Sequence, residues 1–155
     1  MPMSFQERFA REIAVLLDET FESVHGIFLD KNTSLRETLA QITAERASRA
    51  VSARGTSIAA HVAHLTFYLD LLERGLHGEV LEKVDWEETW RTTQVTTKAW
   101  TQMQADVEET YRRVVATLDT PATWDGEDAV GDALAILAHT AYHLGAIRQM
   151  LLVID

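Results

Sequence analysis

Apolar positions recur along the chain at helical spacing in four long runs. Phe5, Phe9, Ile13, Leu16, Leu17 and Phe21 predict a helix from about Ser4 to Val24. The segment "HGIFLDKNTS" then breaks the pattern. Ser34 followed by Glu37 has the spacing of a capping box, and Leu35, Leu39 and Ile42 carry a short helix behind it. Its far end, "ERASRAVSARGTS", is polar and reads as a frayed end and loop. Ser57 follows Gly55 as the next candidate cap, and a helix is predicted from Ile58 to about Arg74.

"HGEVLEKVDWEETWRTTQV" is a long connection that carries Trp86 and Trp90. Thr96 or Thr97 caps the third long helix. Its stripe is Trp100, Met103, Val107, Tyr111 and Val114, and it runs to about Leu118. Pro121 forbids its continuation. The last helix is predicted from about Ala129 to Val153. No alternating pattern competes for a strand. The expected fold is all-α: one four-helix-bundle domain over residues 1–155, with a short extra helix in the first connection.

The last helix raises the first chemical question. His139 and His143 are four residues apart, so they lie about 40° apart around the helix, one turn above the other. Ile136, Ile147 and Met150 share their face. Leu134, Leu137, Ala141 and Leu144 lie roughly opposite, so the helix is apolar nearly all round. A second apolar face, with small residues at Ala138, Ala141 and Gly145, predicts a homodimer.

An i, i+4 pair of histidines can offer two nitrogens to one metal ion, or it can be two core imidazoles with local hydrogen-bond partners. "TSIAAHVAHLTFYLDLL" adds His61 and His64 on a second helix. Three neutral imidazoles can hold a divalent metal and leave positions open for chemistry; a fourth ligand at His61 would close the site into a structural one. His25 and His77 each precede a glycine in an expected loop and read as ordinary polar residues.

Charge and cysteine content narrow the classes further. The formal net charge is −10, which argues against binding nucleic acid or an anionic membrane. The chain has no cysteine, so thiolate ligands and a cysteine nucleophile are excluded, and any thiol would come from outside. Charged residues interrupt every turn of the N-terminal segment, and no stretch approaches the ~20 apolar residues of a membrane span. A cytoplasmic location is expected.

Two stretches carry a resemblance. "SIAAHVAHL" and "HTAYHLGAIRQ" together resemble the DinB/YfiT-like family of metal-binding four-helix bundles. In the first, a capping Ser precedes by seven residues the position of a ligand, here His64. The second matches an H-x-x-x-H-x-G-x-I pattern at His139, His143, Gly145 and Ile147. The resemblance spans almost the whole chain. It implies a three-histidine site, His64, His139 and His143, for a divalent metal, usually zinc or nickel. It also implies a homodimer in many members.

Characterised enzymes of this kind are low-molecular-weight thiol S-transferases and a mycothiol-dependent maleylpyruvate isomerase. The expected function is therefore metal-dependent S-transfer from an external thiol to a small-molecule substrate, or metal-assisted hydrolysis. The alternative is a metal-stabilised bundle that acts as a stress-linked interaction module. His61, one turn from His64, is the candidate catalytic proton shuttle or simply a residue of that helix face. Many members carry Gln where this chain has Ala146, a residue that often supports the site.

Overall fold

The computed structural model describes residues 1–154. Its helices are α1 (Phe5–Phe21), α2 (Leu35–Leu39), α3 (Ala44–Ala47), α4 (Ile58–Leu76), α5 (Thr97–Leu118) and α6 (Ala129–Leu151). Two single-turn 3₁₀ segments, Glu88–Trp90 and Pro121–Asp125, lie in the connections before and after α5. The described residues contain no strand, only an isolated bridge between Ala50 and Ser57.

The four long helices pack in a ring. α4 lies against α5 and α6, and α1 lies against α6 and α5. Ile13, Leu17 and Phe21 of α1 meet Leu65 and Leu69 of α4, Val107 and Val114 of α5, and Ile136 and Ile147 of α6 in one core. Phe21 stacks on Tyr111 with ring centroids 4.2 Å apart. The expected all-α bundle is the observed fold.

Local chemistry explains where the helices begin. Ser4 and Glu7 form a capping box on α1, as do Ser34 and Glu37 on α2. Ser57 caps α4 through the amide of Ala60, and Thr96 caps α5 through that of Ala99. Pro121 stands at the first position of its 3₁₀ turn, where a missing N–H costs nothing.

The first connection departs from expectation. Part of the polar stretch read as loop forms α3, capped by the Thr43 hydroxyl on the amide of Arg46. It is held from a distance: the Ser48 hydroxyl donates to Ala44 O at 2.7 Å and accepts from the amide of Val95 at 2.9 Å. The connection therefore holds two short helices.

The two apolar sides of α6 also divide differently. Leu144 is in the core at 1 % exposure, Leu137 and Ala141 are half-buried, and Leu134 is exposed. The outward stripe of α6 is Leu134, Ala138, Tyr142 and Gly145. With α1 on one flank and α4 on the other, α6 buries a wide arc that takes in Leu144 beside His143. No helix of the described residues is long and apolar enough to cross a membrane.

Candidate metal centre

The Ser57 cap starts α4 so that His61 and His64 fall in its first two turns, on the side that meets α6. There they face His139 and His143. His64, His139 and His143 each bring one nitrogen into a group whose members all lie within 4.8 Å of one another. His64 and His143 are buried and His139 is half-buried.

The spacing suits a cation. Nε2 of His139 and Nε2 of His143 are 3.2 Å apart. Two nitrogens bound to one zinc ion at about 2.0–2.1 Å would be separated by roughly 2.8–3.0 Å in octahedral geometry and roughly 3.3–3.4 Å in tetrahedral geometry, which bracket the observed spacing. Without a cation, that contact requires a proton on one of the two atoms. His139 Nδ1 is meanwhile buried with no hydrogen-bond partner. The residues thus fit a divalent metal by donor type, number and spacing.

His61 joins the cluster through a neighbour. Its Nδ1 is 2.8 Å from Nδ1 of His143, and it is not one of the three grouped residues. His64 Nδ1 is 2.7 Å from the hydroxyl of Thr89. Aromatic rings line the rest. Tyr68 stacks on His139 at a centroid distance of 3.6 Å, and Trp90 stacks on His64 at 4.2 Å. Trp86 lies at 6.0 Å from both His64 and Tyr68, and Tyr142 stands edge-on to His143 at 5.1 Å.

Burial in this setting disfavours the charged imidazole. It pushes His139 down to about 4, with the nearby His64 adding to the shift. Burial likewise pushes His143 down to about 3, helped by His139, His61 and His64. His61 is lowered by burial and by His64, and His64 by burial. All four rings are therefore neutral at pH 7, with lone pairs to offer.

A pH dependence of stability follows. In the unfolded chain these imidazoles titrate near the ordinary 6.5, and in the folded one His139 and His143 titrate near 4 and 3. Between those values the unfolded chain takes up protons that the folded chain refuses, so stability falls as pH drops from about 6.5. Chelator-treated protein should melt at least about 4 °C lower at pH 5 than at pH 7.5, and His143→Gln should flatten the difference. Equal melting temperatures at the two pH values in the unaltered protein would contradict the assigned shifts.

The other histidines lie elsewhere. His25 pairs with Asp18 at the end of α1. His77 Nε2 is 2.8 Å from the buried carboxylate of Glu73 and 3.1 Å from the Thr117 hydroxyl.

Thr89, Trp86 and Trp90 join the site from a connection in which no motif marks them. Two tryptophans in an otherwise polar connection were the available signal, since rings of that size seek a surface to cover. The connection is tied down at its far end by the Ser57 hydroxyl, which donates to Thr93 O at 2.7 Å.

Comparison with known proteins agrees with this architecture. A family model described as the DinB superfamily matches residues 29–147, well over half of the chain. No curated protein and no solved structure matches it. The matched region includes both histidine-bearing helices up to Ile147, and so the chain that brings His64, His139 and His143 together belongs to the DinB superfamily.

Proposed function

We propose that His64, His139 and His143 hold a divalent metal ion, zinc or nickel, and that the protein joins an external low-molecular-weight thiol, through its sulfur, to an electrophilic small molecule. The observation that carries this reading is the convergence of three neutral imidazoles from two helices within 4.8 Å. A divalent cation held there favours a thiolate over a thiol and so supplies a nucleophile near neutral pH.

The chain's own residues supply the setting. The three ligands stay neutral because they are buried among one another. With Nε2 given to a metal, His143 would carry its proton on Nδ1 and donate that N–H to Nδ1 of His61, 2.8 Å away. His61 in this reading orients His143, a different part from the proton shuttle suggested by its position in the sequence. Its Nδ1 lone pair is already engaged, so the proton of the incoming thiol leaves to solvent. Tyr68 and Trp90, stacked on His139 and His64, keep water from the ring faces.

The reaction balances simply. The thiol loses its proton, the sulfur forms a bond to an electrophilic carbon, and the leaving group departs with the bonding pair. The test compares metal-loaded and chelator-stripped protein with bacillithiol, mycothiol and glutathione and a haloalkyl acceptor. Metal-dependent thioether formation with at least one thiol is expected. Metal binding with no transfer to any acceptor tried would overturn the enzymatic reading in favour of a metal-stabilised interaction module.

A further inference from the structure

Thr89 lies in the connection between α4 and α5, within the 3₁₀ turn Glu88–Trp90. Its hydroxyl makes two short contacts. It donates to the backbone carbonyl of Trp86 at 2.7 Å, and it lies 2.7 Å from Nδ1 of His64. A carbonyl oxygen can only accept, and a hydroxyl has a single proton. That proton is committed to Trp86. The contact with His64 is therefore a hydrogen bond in which Nδ1–H of the imidazole donates to the threonine oxygen.

We propose that Thr89 is a positioning residue that fixes the Nδ1–H tautomer of His64 and leaves Nε2 as its free lone pair. The inference rests on the metal reading given above and extends it to a part of the chain outside the two histidine motifs. A neutral imidazole has two tautomers, and only one presents a lone pair at a given nitrogen. The Thr89 hydroxyl, itself aimed by the Trp86 carbonyl, makes that choice before any metal arrives. Trp90, the next residue, stacks on the same ring at 17° between planes and so fixes its tilt, while Thr89 fixes its tautomer. The turn from Trp86 to Trp90 thus acts on His64 from two directions. By linkage, whatever tightens this turn on His64 tightens metal binding, and bound metal stabilises the turn.

Three full-length proteins test this: the unaltered chain, Thr89→Ser and Thr89→Val, none with a polyhistidine tag. Serine keeps the hydroxyl, whereas valine keeps the shape and loses it. Zinc titrated against a chromophoric chelator should bind Thr89→Val about 10–100-fold more weakly than the unaltered chain, the range for loss of a partner that orients a ligand, and should bind Thr89→Ser within about threefold. Nitrogen-15 NMR of the metal-free proteins at pH 8 should show His64 protonated at Nδ1 in the unaltered chain and in Thr89→Ser, and a mixture of tautomers in Thr89→Val.

An Nε2–H signal for His64 in the unaltered chain overturns the assignment whatever the metal data show. So does a Thr89→Val protein that keeps its zinc affinity, or a Thr89→Ser protein as weak as Thr89→Val. If the unaltered chain binds no zinc or nickel, the metal reading fails and takes the metal-positioning role with it. The NMR result then reports only on the hydrogen bond.

Discussion

His64→Ala, His139→Ala and His143→Ala should each weaken zinc binding by more than about 100-fold, whereas His25→Ala and His77→Ala leave it unchanged. The magnitude follows from structural zinc sites, whose apparent binding energies of about 10–16 kcal/mol over four ligands correspond to roughly 3 kcal/mol per ligand. The direction follows from geometry. The three substituted rings belong to one group within 4.8 Å, while His25 is paired with Asp18 and His77 with Glu73. His61→Ala is the informative intermediate. It removes the acceptor 2.8 Å from His143 without removing a ligand, so a loss of about 10-fold is expected. Elemental analysis should give about one ion per chain for the unaltered protein. A His61→Ala protein as metal-poor as His64→Ala would make the site a four-histidine one. An unaltered protein that holds no metal, and gains no thermal stability from added zinc or nickel, would remove the metal centre altogether.

The parts of this site that were legible in the sequence are those governed by local spacing. The caps at Ser34, Ser57 and Thr96 depend on a hydroxyl and an amide three residues apart, and the structure has all three. The His139/His143 pair is legible for the same reason, since a helix turns just over once in four residues. What the sequence hid depends on contacts between distant segments. α3 has four residues and stands on the bond between Ser48 and Val95, which are 47 positions apart. Thr89 reaches His64 across 25 positions, and nothing in "DWEETWRTT" marks one of its threonines as special. α6 failed differently. A helix apolar on nearly every side has no preferred face, so its pattern cannot tell which leucines enter the core. The ring order of the bundle decides that, placing Leu144 inside and Leu134 outside.

The same distinction between local and distant contacts bears on what holds the first connection in place. Two of the four long helices, α4 and α6, carry the clustered histidines, and α1, which packs against α6, leads into an irregular stretch. The loop that follows it is gathered around one buried carboxylate, that of Glu19.

Glu19→Ala should cost the fold about 3–5 kcal/mol, roughly 1 kcal/mol for each of its four backbone hydrogen bonds, a large share of the roughly 5–15 kcal/mol available to a domain of this kind. Glu19 is fully buried near the end of α1. Its carboxylate accepts from the amides of Leu29 at 2.7 Å, Phe28 at 2.9 Å, Ile27 at 3.0 Å and His25 at 3.3 Å. Gly26, inside this loop, has φ of +80°, a left-handed conformation that lets the chain curl around the carboxylate. Burial alone would push the carboxyl up, but the four backbone donors together outweigh it and hold it below the ordinary carboxylate range. The contribution is therefore complete above the ordinary carboxylate pKa and is lost as pH falls through the depressed value. Alanine leaves all four donors without their acceptor. Glutamine keeps the shape but turns an NH₂ group toward donors, so Glu19→Gln should also destabilise, by about 2 kcal/mol. Glu22 is the control. It pairs with Arg36 at 2.9 Å, but both side chains reach water, and Glu22→Gln should cost under about 1 kcal/mol. Urea unfolding of the three variants at pH 7.5 measures the contrast. If Glu19→Ala and Glu22→Gln unfold at the same midpoint, Glu19 does not hold the loop.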